Sequence, residues 1–341
     1  MSATPIMCDV FRTAIPMRRF EHAARSRDLA EAVLARVEFD GARPGEACYG
    51  ETLPRQYVTG ESIESVLEDI ENIVWPDVAG RSFERFEDLL DVPAEAPDGR
   101  CINAAACAVE LAIAGRLGKL GKMPRPAGRI RVRVSGVIGS SDPNRTARQI
   151  RLMRWFGLRD FKLKLGFGDE VDAENLRKVR RRIGKGISSG TCTLRADVNG
   201  AWTADETPAR IADLAECGVR AVEQPVPCRA RELADLAARC ALPLIADESL
   251  LTEADAEALL PAGPRVWWNI RLSKNGGLCR SLRLAERAER EGVPFVVGCM
   301  VGESGILSAW QRTLLALAPR PRFVEGNYGR FLLADDLTVR S

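Results

Sequence analysis

The sequence predicts an eight-stranded α/β barrel carried behind a smaller α+β domain, and three observations point there. From about residue 128 onward, eight short β-rich runs alternate with amphipathic helical stretches, as parallel strands with crossover helices require. Ahead of residue 128 the pattern is mixed, and residues 121–128, rich in Pro, Gly and basic side chains, separate the two regions as a linker. The chain is 341 residues long with 46% hydrophobic and 28% charged content, enough to bury a large core.

Taken in order, the first region holds β-like runs at Cys8–Ile15 and Val33–Phe39, a Gly-, Pro- and Tyr-containing loop at Gly45–Gly60, and helices at Ser62–Ile73 and Cys101–Leu120. The barrel strands are expected at Arg129–Val137, Phe161–Leu165, Thr193–Val198, Ala221–Gln224, Leu242–Ala246, Val266–Leu272, Phe295–Gly298 and Arg322–Val324. Helices Asp169–Ile183, Thr203–Glu216, Arg229–Cys240, Glu253–Leu260, Gly277–Glu291 and Ser304–Leu317 return the chain to the barrel's bottom. A doubly wound open sheet alternates in the same way, and the count of eight strands suggests closure. The division is residues 1–125 for the α+β domain, 126–325 for the barrel and 326–341 for a C-terminal segment returning toward the first domain.

Lys and Arg number 49 against 47 for Asp and Glu, so the weak net field argues against a nucleic-acid partner. The most apolar stretch, Ala104–Ala114, is broken by Glu110 and is shorter than the roughly 20 residues that span a bilayer, so no membrane contact and a cytoplasmic location are expected. Ten cysteines without a close C-x-x-C pair suggest neither a zinc cluster nor a disulfide framework. With His22 as the single histidine, a catalytic triad or a His-rich metal site has little to be built from.

Active residues of a parallel barrel gather at the C-terminal ends of its strands. Asp197, Glu223 and Asp247 end three successive strands, where they should converge. Converging carboxylates repel unless neutralised, and their hard oxygens favour Mg²⁺; a helix-capping role is the plainer alternative for each of them. Lys162 and Lys164, two apart on the second strand, share one face and crowd two positive charges, which suits a general base. Lys274, before Asn275-Gly-Gly277, is expected to project toward the same mouth from the opposite side. Glu303, after the seventh strand, is placed either to position substrate or hold a lysine, or to act as a helix N-terminal charge.

Lys162-Leu-Lys164, Asp197-Val-Asn199, Glu223-Gln-Pro225, Asp247-Glu-Ser249, Lys274-Asn-Gly-Gly277 and Gly298-Cys-Met300 with Glu303 together resemble the enolase superfamily, within it the muconate lactonizing enzyme subgroup. The resemblance implies an N-terminal capping domain, a modified (β/α)7β barrel, and Mg²⁺, with Mn²⁺ as an equivalent, on Asp197, Glu223 and Asp247. Asn199 and Glu248 would support that site. It further implies that Lys164 or Lys274 takes a proton α to a carboxylate and that Lys162 supports the enediolate charge. Segments Phe20–Ala23 and Gly50–Glu61 resemble mobile capping segments, which makes His22, Arg55 and Tyr57 substrate-binding candidates beside Asn269, Cys299 and Met300. Two departures stand out: the last strand region lacks the Asp-x-Asp with which dipeptide epimerases hold an amine, and Arg271 stands where relatives often carry lysine. The expected activity is an isomerase, either a racemase or epimerase or a cycloisomerase, acting on a small carboxylate as a homo-oligomer. A dehydrating lyase resembling o-succinylbenzoate synthase would use the same residues, and a noncatalytic ligand-binding barrel is the non-enzymatic alternative.

Overall fold

The computed structural model describes residues 2–22, 25–43, 45–126, 128 and 130–338, apart from the side chains of residues 19–22 and 25–27. The chain opens with a three-stranded antiparallel sheet of β1 (Pro5–His22), β2 (Arg25–Phe39) and β3 (Cys48–Thr52). Val33, Ala35, Val37 and Phe39 alternate inward along β2 and are buried. Both long strands reach beyond the expected runs, because the paired backbone continues past the apolar alternation, with a register shift between Pro16 and Phe20. β3 falls inside the expected Gly45–Gly60 loop; its pairing with β2 from Val33↔Thr52 to Val37↔Cys48 makes it a strand despite its turn-like composition.

Short helices α1 (Gln56–Thr59), α2 (Ile63–Asp69) and α3 (Trp75–Val78) follow, the last two joined by a π-helical turn at Ile70–Val74. α4 (Asn103–Lys119) then packs on the sheet. Its run of alanines permits a close approach, and a Cβ at Gly50 of β3 would collide with the Ala108 carbonyl.

The second part is a closed parallel barrel of β4 (Val134–Ile138), β5 (Asp160–Lys164), β6 (Thr193–Asp197), β7 (Val222–Glu223), β8 (Leu244–Ala246), β9 (Val266–Ile270), β10 (Phe295–Val297) and β11 (Phe323–Glu325). The strands follow chain order around the ring, β11 closing onto β4. The open-sheet alternative is thereby excluded.

The connecting helices are α5 (Pro143–Trp155), α6 (Asp169–Ser188), α7 (Thr207–Glu216), α8 (Ala230–Ala237), α9 (Glu253–Leu259), α10 (Leu278–Arg290) and α11 (Gly305–Leu317), before a last turn α12 (Gly329–Leu332). α5 is absent from the expected elements: only Thr146 and Ile150 are buried along it, too few for a clear apolar period. Asp142 caps it by accepting the Asn144 N–H at 2.8 Å, with Pro143 at its first position. Beyond α12, Leu333 bridges to Met17 and the Ala334 N–H donates to the Pro16 carbonyl at 2.8 Å. All ten cysteines are free, and among the described residues no helix is long and apolar enough to cross a membrane.

Buried glutamates of the first domain fasten it to the barrel's active end. Glu110, which breaks the apolar run of α4, accepts the N–H groups of Leu278 at 3.1 Å and Cys279 at 2.8 Å, at the N-terminus of α10. Glu51 of β3 accepts from Ser304 N–H at 2.9 Å and Leu307 N–H at 3.1 Å, at the start of α11. Within the first domain, Glu61 accepts the Ala104 N–H at 2.9 Å. Each carboxylate satisfies donors that a helix leaves unpaired. The hydroxyls of Thr52 and Ser273 lie 2.7 Å apart, and Asn103 donates to the carbonyls of Leu251 and Lys274 at 2.8 Å, so the same strand ends are tied from above.

Burial pushes the Glu110 carboxyl up to about 7, against its two backbone donors. A carboxyl raised on folding stabilises the fold below its ordinary value of 4.5, and that contribution is lost as pH rises through about 7. Glu110→Gln carries a neutral group at every pH, so it should match the parent within about 1 kcal/mol at about pH 5, where the buried carboxyl is protonated. Toward about pH 7.5 the variant should become the more stable of the two, which melting curves of both proteins at both pH values check.

Candidate active site

Consecutive barrel strands deliver the charged groups in turn: Lys162 and Lys164 on β5, Asp197 on β6, Glu223 on β7, Asp247 just past β8, Arg271 just past β9 and Glu325 on β11. Register places Lys164 beside Asp197 and Asp197 beside Glu223. Asp197, Glu223 and Asp247 are all fully buried.

Cations from the barrel itself lie among these carboxylates. The Lys162 ammonium lies 3.0 Å from Asp197, 3.2 Å from Glu223 and 2.7 Å from Glu325. Lys164 donates to Asp197 and to the Asn199 side-chain oxygen, each at 2.7 Å. Arg271 donates through Nη2 to Glu223 at 3.2 Å and, more closely, to Asp247. Arg195 donates to Glu325 at 3.3 Å and to the Ser135 hydroxyl at 3.0 Å, its guanidinium stacked 4.4 Å over the Phe323 ring.

This arrangement sets the protonation states. Burial acts against the Lys162 ammonium, but Glu223, Glu325 and Asp197 outweigh it and hold the lysine well above its ordinary value. Asp197 is held well below the carboxylate range because Lys164 and Lys162 overcome its desolvation. Glu223 is pushed up to about 7 by burial and then by the charge of Asp197, and Glu248 up to about 8 by burial and Asp247.

Backbone strain is concentrated here as well. Asn199 and Gln224, each following a carboxylate-bearing strand, are the non-glycine residues with left-handed backbone among those described, at φ 50° and 37°. Gln224 accepts the N–H groups of Asp247 at 3.0 Å and Ser249 at 3.2 Å while donating to the Ser249 hydroxyl at 2.7 Å. It thereby fixes the turn that carries Asp247. A Cβ at Gly298 would run into the Asn269 and Arg271 side chains, so the residue that follows β10 must be glycine for both to reach Glu223.

Comparison with known proteins follows this geometry. The family model "Enolase C-terminal domain-like" matches residues 145–341, more than half of the chain. The L-Ala-D/L-Glu epimerase of Escherichia coli is 30% identical over 331 residues, covering 96% of this chain and 94% of that protein. The chain belongs to the enolase superfamily. Within the superfamily, the N-succinyl-L-Arg/Lys racemase of Bacillus cereus is 28% identical over 287 residues, 82% of this chain and 74% of that one. The dipeptide epimerase of Methylococcus capsulatus, solved with Mg and the dipeptide L-Arg-D-Lys, superposes with a TM-score of 0.79 at 26% identity, covering 99% of this chain and 93% of that one.

For a superfamily of this kind the metal question is whether the donor set suits a hard divalent cation. Three carboxylates on rigid strand ends do, and Asp247 Oδ1 is buried without a hydrogen bond, its nearest cation the Lys274 ammonium at 3.7 Å. Among the described residues, as their side chains stand, no three His, Cys, Asp or Glu groups could hold an ion. Lys162 links Asp197 to Glu223 and Arg271 links Glu223 to Asp247, so these cations take the oxygens that a metal would use. The residues therefore fit a metal in chemistry, and binding requires Arg271 to withdraw.

Several expected site residues are placed differently. Lys274 does not face the mouth: its fully buried ammonium donates to the carbonyls of Asp247 at 2.8 Å and Leu250 at 2.6 Å, and burial pushes it down to about 8. Of the two cations at that strand end, Arg271 bridges Glu223 and Asp247 and keeps some exposure, while Lys274 lies fully buried with its ammonium 3.7 Å from Asp247 Oδ1. Glu303 holds no lysine; it accepts the Met300 N–H at 2.6 Å and the Asn327 amide at 3.2 Å, and burial pushes it up to about 8. Arg55, a substrate-binding candidate in the sequence, is buried and donates to the carbonyls of Glu31 at 3.1 Å, Pro54 at 2.8 Å and Val301 at 3.2 Å. Asn269 is fully buried and donates to Glu223 at 2.9 Å, so it braces a carboxylate instead of reaching substrate.

Met300 is buried, its sulfur accepting from Arg271 at 3.5 Å; Cys299 is partly exposed and donates to the Gly326 carbonyl at 3.4 Å; Tyr57 is partly buried. Asn199 and Glu248 do lie beside the carboxylates, 3.4 Å apart. The side chain of His22 lies outside the described residues, as does Ala23. Arg195, Gln224 and Glu325 are site residues that sequence reasoning passed over. The alternation Arg195-Ala-Asp197 was a usable signal, since it places a charge on the inward face of a buried strand.

Glu325→Leu should leave Lys162 and Arg195 short of a buried counter-charge and destabilise the fold by about 3–5 kcal/mol. Adding Arg195→Met should recover part of that loss, a non-additivity that urea unfolding of the single and double variants would reveal.

Proposed function

We propose that this chain is a Mg²⁺-dependent isomerase that removes the proton from the carbon next to a substrate carboxylate, with N-acylated amino acids as its substrate class. The observation that carries this reading is the convergence of Asp197, Glu223 and Asp247 beside a lysine that keeps access to the mouth, Lys164. Asp197, Glu223 and Asp247 would hold the metal, which when bound supplies fixed positive charge against the substrate carboxylate. Lys164 takes the α-proton onto its Nζ. Lys162 remains a cation under its three carboxylates and adds positive potential where the second negative charge of the enediolate develops.

The substrate class follows from what the eighth barrel strand leaves free. Glu325 is its acidic residue and is already bonded by Lys162 and Arg195, so no carboxylate on that strand is left for a substrate ammonium. The racemase and epimerases among the relatives are named for succinylated amino acids and dipeptides, molecules that join a carboxylate to an α-carbon bearing an amide nitrogen. An acylated nitrogen needs no acidic partner. Mn²⁺ serving in place of Mg²⁺, a cytoplasmic location and a homo-oligomeric assembly complete the reading. The exposed aromatic patch of Trp155, Phe156 and Phe331 supports the assembly.

In D₂O with Mg²⁺, N-succinyl and N-acetyl amino acids should lose their α-proton NMR signal in the presence of the protein. Chelation should abolish the loss, and Lys164→Met should slow it by about 100-fold or more. If metal binds and no member of a broad carboxylate panel exchanges, the reading is wrong.

A further inference from the structure

We propose that this site is proton-active on one face only: Lys164 alone carries the α-proton, while Arg271, on the opposite wall, lines the other face with a cation that has no basic nitrogen to take or return a proton. The inference rests on the α-proton reading above and deepens it by assigning the stereochemical course.

The barrel supplies the geometry. β5 and β9 lie diametrically across the ring, with three strands between them in either direction, so Lys164 at the end of one faces the residue that leaves the other. That residue is Arg271, directly after Ile270. Access separates these two from the other cations of the site. Lys164 and Arg271 each keep 7% of their surface exposed, whereas Lys162 keeps 2% and Arg195 and Lys274 keep none. A substrate entering from the mouth therefore meets an ammonium on one side and a guanidinium on the other.

The two groups differ in what they can do. An amine can accept a proton through its nitrogen lone pair; the guanidinium presents five N–H donors and no acceptor. Arg271 also leaves Nε without a partner, a buried donor that gives the far wall further hydrogen-bonding capacity but no basic site. Lys274 does not replace it, because turning its ammonium inward would break two bonds to the Asp247 and Leu250 carbonyls behind the wall. Asn103, donating to the Lys274 carbonyl at 2.8 Å, holds the backbone of that turn.

The proton traffic is then one-sided. The α C–H bond breaks toward Lys164, the electron pair stays on the substrate as the enediolate, and the lysine nitrogen gains the proton. On return the same nitrogen gives up a proton and the C–H bond re-forms on the same face. Between the two steps the ammonium exchanges hydrogens with solvent. Exchange with retention is therefore the fast reaction for one stereoisomer, and isomerisation is limited by the slower inversion, in which solvent and not a protein base delivers the proton on the Arg271 face.

The test follows α-deuterium uptake by NMR in D₂O for the separate enantiomers of one exchanging N-acyl amino acid. With the Mg²⁺-loaded protein, one enantiomer should exchange with retention at least about 100-fold faster than the other. Arg271→Lys, which places an amine on the far wall, should raise exchange of the slow enantiomer, and calorimetric Mg²⁺ titration should show that the variant still binds metal. Comparable exchange of both enantiomers by the unaltered protein overturns the inference, leaving the α-proton reading intact. So does loss of one enantiomer's exchange in Lys274→Met with the metal still bound. Exchange of neither enantiomer, with Mg²⁺ bound, removes the α-proton reading and the inference together.

Discussion

Everything at the active end of this barrel answers to one constraint: carboxylates from successive strands are buried within reach of one another. Asp197, Glu223 and Asp247 have no exposed surface. Left unpaired, such charges would be expelled or protonated. The protein meets the constraint with Lys162 and Arg271, each bonding to at least two of them, and with Glu325 and Arg195 as a further pair beneath. The cost appears in the backbone, at the left-handed Asn199 and Gln224, and in Gly298, which gives up a side chain so that Asn269 and Arg271 can reach Glu223. A divalent cation is the natural alternative to those protein cations.

The same end of the barrel receives the first domain, for a related reason. Each crossover helix that follows a strand begins near that strand's C-terminal end and leaves N–H groups unpaired there. Glu110 and Glu51 reach down from the first domain to satisfy those of α10 and α11. Arg55 and Thr52 add contacts to Val301 and Ser273. The domain that covers the mouth is therefore fastened to the loops after β9 and β10, which also carry Arg271, Met300 and Glu303. The first domain and the turns that carry Arg271 and Met300 are thus mechanically linked.

Much of this was legible in the sequence. Strand runs bounded by helical patterns disclosed the barrel, and carboxylates at three consecutive strand ends disclosed the heart of the site, because period-two alternation and strand-end position are local properties. What stayed hidden depended on side-chain direction across distance. Lys274 and Arg271 are three residues apart in one turn, and nothing local says which of them faces the mouth; the carbonyls of Asp247 and Leu250 decide it. Arg55 reads as a surface arginine until the Val301 carbonyl is brought beside it. α5 escaped notice because so little of it is buried, and β3 because its glycine and threonine read as a turn until β2 pairs with it.

Asp197, Glu223 and Asp247 would form one divalent-cation site, with Arg271 occupying the space between Glu223 and Asp247 when no metal is bound. A crystal of the protein soaked in Mn²⁺ tests it directly through anomalous scattering. The account requires one strong peak bounded by the three carboxylates, with the Arg271 guanidinium withdrawn from between Glu223 and Asp247. A peak away from these residues, or none at saturating Mn²⁺ with Arg271 still in place, would contradict it.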